Sequence, residues 1–293
     1  RLDPDLAALQ ATWTAVGIVA FVATLLVVRR ARDLERYRYT FLLVGLALLV
    51  SPLIPGIGRN IRGARIWVAV GPISFQPGEF AKIAFALFFA SYLVEKRELL
   101  SMATWPRFRP VLPDLRHLGP VLFAWGMAIL VMTAQKDLGS SLLLFFLFIA
   151  MLWVATGRLA YPIGGTALFG MAAYGAWTMF DHVQTRVTTW LNPWPEAQDR
   201  GLQVVQTWFA LAWGGVAGTG IGLGRPQKIP YVESDFIFAA IGEELGLVGG
   251  TAILIAYLLI VGAGLRVATQ AEHPFDKLLA AGLTALIGMQ AFV

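Results

Sequence analysis

Eight runs of apolar residues dominate this sequence, at about 11–28, 39–57, 79–94, 118–134, 138–156, 159–180, 236–264 and 278–293. Crossing the roughly 30 Å hydrocarbon core of a bilayer takes about 20 helical residues. Within lipid a helix is one of only two folds that satisfy every backbone hydrogen bond. The third and fourth runs are short, so they need tilt or interfacial flanking residues to span. The pattern predicts an all-α, polytopic transmembrane helix bundle. Composition agrees, with 57% of the 293 residues hydrophobic and 14% charged. That charged share is about half the usual value for soluble domains, and a soluble fold could not bury so much apolar surface.

The connections set the orientation. On one side, residues 29–40, 95–117, 157–158 and 265–277 carry 13 Lys and Arg in 50 positions; on the other, residues 55–78, 135–137 and 181–235 carry 8 in 82. The denser side is assigned to the cytoplasm by the positive-inside rule, so the long segment 181–235 faces outward. Connections of that length are functional or disordered, and Trp190, Trp194, Trp208 and Trp213 argue against disorder. Segment 181–235 is expected to lie on the membrane surface or to fold back over the helices. The net charge of +5 sits in short loops, a topology signal rather than a nucleic-acid patch. With no cysteine, disulfides, thiolate metal sites and a cysteine nucleophile are excluded. Residues 1–293 read as a single membrane domain. Arg1 in place of an initiator methionine and an apolar run still open at Val293 give the expectation that both ends are cut. Asp3 and Asp5 before the first run do not make the basic start of a signal peptide.

Few ionisable residues fall where chemistry needs them. Asp235 stands between the outer loop and the run Phe236–Ala240. It reads either as a helix N-cap or as a carboxylate placed to take a proton from a substrate hydroxyl. Glu243 and Glu244 lie two turns deeper, where a carboxylate needs a partner or a water-filled path. Glu79 and Lys82, three residues apart, share a helix face and can pair. Arg59, Arg62 and Arg65 run against the positive-inside trend. They suit lipid headgroups or a diphosphate, which Arg grips with forked donors, and Arg186, Arg200, Arg225 and Lys228 permit the same two readings. The string Gly218-Thr219-Gly220-Ile221-Gly222-Leu223-Gly224 follows no strand, so it reads as close backbone packing or a tight turn rather than a nucleotide loop. His117, His182 and His273 lack metal-ligand spacing.

Several strings, in order along nearly the whole chain, resemble the SEDS family of bacterial cell-wall glycosyltransferases. Gly63-Ala64-Arg65-Ile66-Trp67 and Phe75-Gln76-Pro77-Gly78-Glu79-Phe80-Ala81-Lys82 are similar to its GARRW and FQPSEFAK strings, and Lys136-Asp137-Leu138-Gly139 to its PDLG turn. Asn192-Pro193-Trp194, Gly201-Leu202-Gln203 with Gln206, Gly214-Gly215 and Gly220–Gly224 resemble its large outer loop. Ser234-Asp235-Phe236-Ile237-Phe238 and Gly242-Glu243-Glu244-Leu245-Gly246 resemble TDFIF and GEE-G. Departures are Gly78 for serine, Lys136 for proline, and a shortened Lys228–Asp235 stretch with Tyr231 and Glu233 where the family has glutamate and histidine.

The resemblance implies ten helices, of which these runs would be the second to a truncated ninth. It implies polymerisation of lipid II, a disaccharide-pentapeptide on undecaprenyl diphosphate, at the outer face of a bacterial plasma membrane, and the pattern leans to the RodA-like branch. Asp235 matches the family's catalytic aspartate. Arg65 and Arg186 are the candidates for steadying the leaving diphosphate, with Glu79, Lys82, Gln203, Gln206 and Lys228 as further substrate-binding positions. A divalent cation, Mg or Mn, is the one candidate cofactor, with no ligands assigned. The implied partner is a class B penicillin-binding protein with transpeptidase activity. Two rival functions remain at this level: a lipid II flippase using Lys82, Glu243 and Glu244, and a non-catalytic scaffold for the transpeptidase.

Overall fold

The computed structural model describes residues 4–61, 64–70, 73–101, 115–135 and 137–291. Arg62, Lys136 and residues 102–114 of the basic connection therefore lie outside the described residues. Helices run in the order α1 (Pro4–Val27), α2 (Arg38–Val50), α3 (Pro77–Ser101), α4 (Leu115–Ala134), α5 (Leu138–Thr156), α6 (Ala160–Met179), α7 (Asp181–Leu191), α8 (Leu202–Gly214), α9 (Ile237–Gln270) and α10 (Pro274–Gln290). Each apolar run coincides with one of α1 to α6, α9 or α10. Among the described residues, Ala7–Val27, Pro77–Glu98, Gly139–Thr156 and Ile237–Gln270 are long and apolar enough to cross a membrane, and Leu122–Ala134 is a shorter apolar helix. The second run, expected to reach residue 57, leaves the α-helix at Val50. Pro52 follows in a single 3-10 turn, Ser51–Leu53, and then Pro55 and Gly56, the latter at φ 88°. Proline cannot donate into the helical ladder, so the chain turns there.

One small sheet adds to the helical plan. Strands β1 (Gly58–Ile61), β2 (Ala64–Val70) and β3 (Ile73–Phe75) form an antiparallel meander in the order β1-β2-β3. The β-branched and aromatic string Ile66-Trp67-Val68 explains why this connection goes extended. Arg59 pairs with Trp67. Because strand residues alternate faces, Arg65 and Trp67 lie on one face of β2, and Arg59, the partner of Trp67 on β1, lies on that same face.

Two compact units divide the chain. The first comprises Val28–Thr166 and Leu259–Val293. Its centre is α3, against which α2, α5 and α10 pack. Phe85, Phe88 and Phe89 are fully enclosed, and Phe89 meets Phe148 of α5 with ring centroids 5.5 Å apart. Polar ties stitch the helices: Ser91 Oγ donates to the Glu35 carbonyl at 2.7 Å, Tyr161 Oη to the Leu100 carbonyl at 3.0 Å, and the buried Gln135 amide to the Leu49 carbonyl. Arg38 at the start of α2 pairs with Glu95 of α3. Asp137 caps α5, its Oδ1 accepting from the Ser140 N–H at 3.0 Å. Small residues let helices touch: Gly282 of α10 lies against Met151 of α5, and Gly264 of α9 against Thr284 of α10, the usual way membrane helices approach.

The second unit comprises Arg1–Val27 and Ala167–Leu258. Helix α1 buries none of its span within the protein, as expected of a helix whose solvent is lipid. The segment expected to be an outer loop, 181–235, contains two helices, α7 and α8, joined through a 3-10 turn at Trp194–Glu196. A small cluster of Ala210, Ile229 and Ala239 joins α8, the following turn and the start of α9.

The core argument predicts the effect of Phe89→Ala. Lipid tails are as apolar as phenylalanine, so the transfer penalty largely cancels and the cavity term remains, about 2 kcal/mol. Unfolding of the purified protein by increasing SDS mole fraction should show that loss as an earlier midpoint.

Candidate functional site

Helix α9 is broken. Gly246 sits inside it at φ 67°, ψ −168°, a conformation open to glycine and strained for other residues. Among the rungs of the helical ladder that the break interrupts are those that would run from the N–H groups of Leu247 and Val248 to the carbonyls of Glu243 and Glu244. All four groups find partners in the glycine-rich string after α8. The Thr219 N–H donates to the Glu243 carbonyl at 2.9 Å and the Gly220 N–H to that of Glu244 at 3.0 Å. The N–H groups of Leu247 and Val248 donate to the Gly215 and Val216 carbonyls at 2.9 and 3.2 Å. A segment of turns has thus been inserted into a split helix. Only glycine permits this approach: a Cβ on Gly214 would overlap the Gly242 carbonyl, and one on Gly218 the Glu244 carbonyl. The string is close backbone packing and tight turns together, as read from the sequence.

Glu243 is buried at 7% exposure. Its Oε1 accepts the Arg225 backbone N–H at 2.9 Å, and its carbonyl also takes the Thr219 hydroxyl at 3.0 Å. The sequence showed that this carboxylate needs a partner; the structure supplies a backbone amide 18 residues away. Beside it lies a cavity of about 520 Å³, within the size range of small-molecule sites. Its lining combines the aromatic and aliphatic faces of Phe209, Trp213, Leu223 and Ile229 with Gln206, Thr219, Arg225, Lys228 and Glu243.

The segment leading out of the cavity carries Asp235. Gln203 of α8 donates its Nε2 to the Pro230 carbonyl at 2.8 Å, pinning the segment to the helix. Tyr231 then adopts φ 58°, the one positive φ at a non-glycine among the described residues, and its carbonyl accepts the N–H groups of Ser234 and Asp235 at 3.2 and 3.0 Å. The turn leaves Asp235 exposed at the foot of α9. Among the described residues its carboxylate caps no backbone N–H, so the N-cap reading is not what is seen. Arg186 is exposed on α7.

In the other unit, Lys82 is 1% exposed and reaches both oxygens of Glu79, at 2.8 and 2.7 Å. Glu79 Oε2 also accepts from Gln290 Nε2 at 2.8 Å, linking α3 to α10. A buried ammonium without that carboxylate would be strongly disfavoured. Arg65 is exposed on β2. The sequence-derived candidates therefore form two groups, with Arg186, Gln203, Gln206, Lys228 and Asp235 in one unit and Arg65, Glu79 and Lys82 in the other. Sequence reasoning did not assign Thr219, the Arg225 amide or the aromatic side chains of Phe209 and Trp213 to a site. A usable signal was present, since glycines at 214 and 218 repeat the four-residue spacing of those at 242 and 246. Among the described residues no three His, Asp or Glu side chains converge on one point, so an all-protein metal cage is not built from them.

The docked segment makes a direct prediction. Gly218→Ala forces a Cβ onto the Glu244 carbonyl at φ 82°, so the amides of Leu247 and Val248 should exchange about tenfold faster or more by hydrogen–deuterium exchange, a decade reflecting about 1.4 kcal/mol.

Comparisons with known proteins agree with this architecture. The model of the FtsW/RodA/SpoVE family, described as cell cycle proteins, matches residues 5–293. The chain is similar to peptidoglycan glycosyltransferase RodA of Mycobacterium tuberculosis, 42% identical over 285 residues, covering 97% of this chain and 61% of that protein. It thus spans about three fifths of the length of that relative. It is 35% identical over 286 residues to the probable peptidoglycan glycosyltransferase FtsW of Geobacter metallireducens, covering 97% and 73%. A solved structure concerned with the coordination of polymerisation and crosslinking by a peptidoglycan synthase complex superposes with a TM-score of 0.72 at 25% identity, over 99% of this chain and 77% of that one.

Proposed function

This chain belongs to the FtsW/RodA/SpoVE family, and on that premise we propose that it is the catalytic part of a peptidoglycan glycosyltransferase of the RodA-like branch, polymerising lipid II at the outer face of the plasma membrane. The observation that carries the reading is an exposed carboxylate, Asp235, six residues along the chain from Ile229 in the wall of a cavity that combines cations and aromatic rings. The names of the RodA and FtsW relatives support the reaction class.

In the proposed reaction, Asp235 accepts the proton of the 4-hydroxyl on the acceptor's N-acetylglucosamine. The freed oxygen pair attacks the anomeric carbon of the donor sugar, and the bond from that carbon to the diphosphate oxygen breaks. Undecaprenyl diphosphate leaves with the bonding electrons, and the proton on Asp235 passes to water. Charge growing on the diphosphate calls for fixed cations; Lys228 and Arg225 border the cavity, and Arg186 is exposed in the same unit. A divalent cation such as Mg or Mn commonly binds with substrate phosphates, and with the diphosphate it would neutralise leaving-group charge. The proposed partner is a class B penicillin-binding protein, whose crosslinking would follow polymerisation, in keeping with the synthase complex that this fold resembles.

The test is glycan-ladder formation from fluorescent lipid II by the full-length protein with its transpeptidase. Wild type should give ladders. Asp235→Asn, folded and still binding lipid II, should lose at least about a hundredfold in rate, the usual worth of a general base. Ladders from both would remove Asp235 as the base, and ladders from neither would turn the reading towards lipid II transport.

A further inference from the structure

We infer that Glu243 is a positioning residue whose carboxylate and carbonyl together set where the cations of the cavity stand. The inference rests on the cavity being the substrate site proposed above. Glu243 holds both ends of one short segment. Its carbonyl takes the N–H and the hydroxyl of Thr219, and its Oε1 takes the N–H of Arg225. Of the five residues between, three are glycine, with Gly220 at φ 105° and Gly222 at φ 75°. Glycine loses more conformational freedom on ordering than any other residue, so such a stretch keeps one shape only if its ends are fixed.

The effect passes on to Lys228. The Lys228 N–H donates to the Arg225 carbonyl at 3.1 Å and the Ile229 N–H to that of Pro226 at 2.9 Å, closing a single 3-10 turn built directly on Arg225. Moving the Arg225 backbone therefore moves Lys228, and both line the cavity. There is little slack, since a Cβ on Gly224 would stand 2.9 Å from Glu244 Cγ and 3.3 Å from Glu243 Cδ.

The chemistry separates this role from a catalytic one. The Arg225 amide is neutral and needs an acceptor, which a glutamine oxygen provides as well as a carboxylate. A base, a metal ligand or a counter-charge to substrate would need the negative charge itself. Glu243→Gln should thus stay within about threefold of wild type in kcat/KM. Glu243→Ala should raise KM for lipid II about tenfold or more with a smaller change in kcat, the mark of lost ground-state binding.

The experiment pairs polymerisation kinetics with hydrogen–deuterium exchange over residues 220–228, using the full-length protein with its transpeptidase. Exchange there should be unchanged in Glu243→Gln and faster in Glu243→Ala. Should Glu243→Ala fail to assemble, Thr219→Val removes one bond at the other end of the segment and should shift KM and exchange in the same direction by a smaller amount. Glu243→Gln as impaired as Glu243→Ala, with exchange undisturbed, would overturn the inference in favour of a charge-based role. Unchanged exchange in both Glu243→Ala and Thr219→Val would overturn it as well. If wild type makes no polymer, the glycosyltransferase reading fails, while the exchange comparison still decides whether Glu243 holds the segment.

Discussion

A backbone amide inside a bilayer has no water to turn to, and that constraint shapes the most informative part of this molecule. Helix α9 belongs to one of the most apolar runs of the chain, yet it is broken at Gly246, roughly 14 Å along its axis from Ile237 at 1.5 Å per residue. Among the groups released there are two donors and two acceptors, each costing several kcal/mol if left bare in hydrocarbon. The glycine-rich string after α8 meets all four. Neither element is stable in this form without the other, because the split helix needs the inserted segment and the segment has no other ladder to join.

That mutual dependence explains why irregular backbone lies beside a cavity. Non-helical chain at membrane depth is tolerated where it is enclosed by protein or lines a polar space. Here it lines a cavity, with Thr219 contributing to the lining and Gly214 and Gly218 packed against α9. Glu243 joins the two structures through its side chain as well as its backbone. The buried pair Lys82 and Glu79 follows the same rule with side chains: an ammonium enclosed by α3 is held by a carboxylate one turn earlier, itself tied to Gln290. Such pairs add little net stability and are costly to break, so they act as constraints on how helices may be arranged.

Hydrocarbon thickness alone made the helical plan legible in the amino-acid sequence. Eight apolar runs became eight helices, and the i,i+3 spacing of Glu79 and Lys82 was enough to pair them, because both signals are local in the chain. The dispersed strings from Gly63 to Gly246 likewise marked the family, and Asp235 at the end of the outer segment was visible as the carboxylate that matches its motif. The extended strands at 58–75 were less legible, since a short β-rich stretch between membrane runs reads as a loop until its pairing is seen.

What only the tertiary structure decided were the contacts between residues far apart in sequence. The partner of Glu243 is a backbone amide 18 positions earlier, and backbone amides leave no trace in residue identity. The break in α9 is likewise invisible in hydropathy, because glycine is common in membrane helices and Gly246 differs from the other glycines of α9 in the backbone conformation it adopts. Composition and spacing determined which segments enter the membrane; the satisfaction of four orphaned backbone groups determined where the cavity formed and which side chains line it.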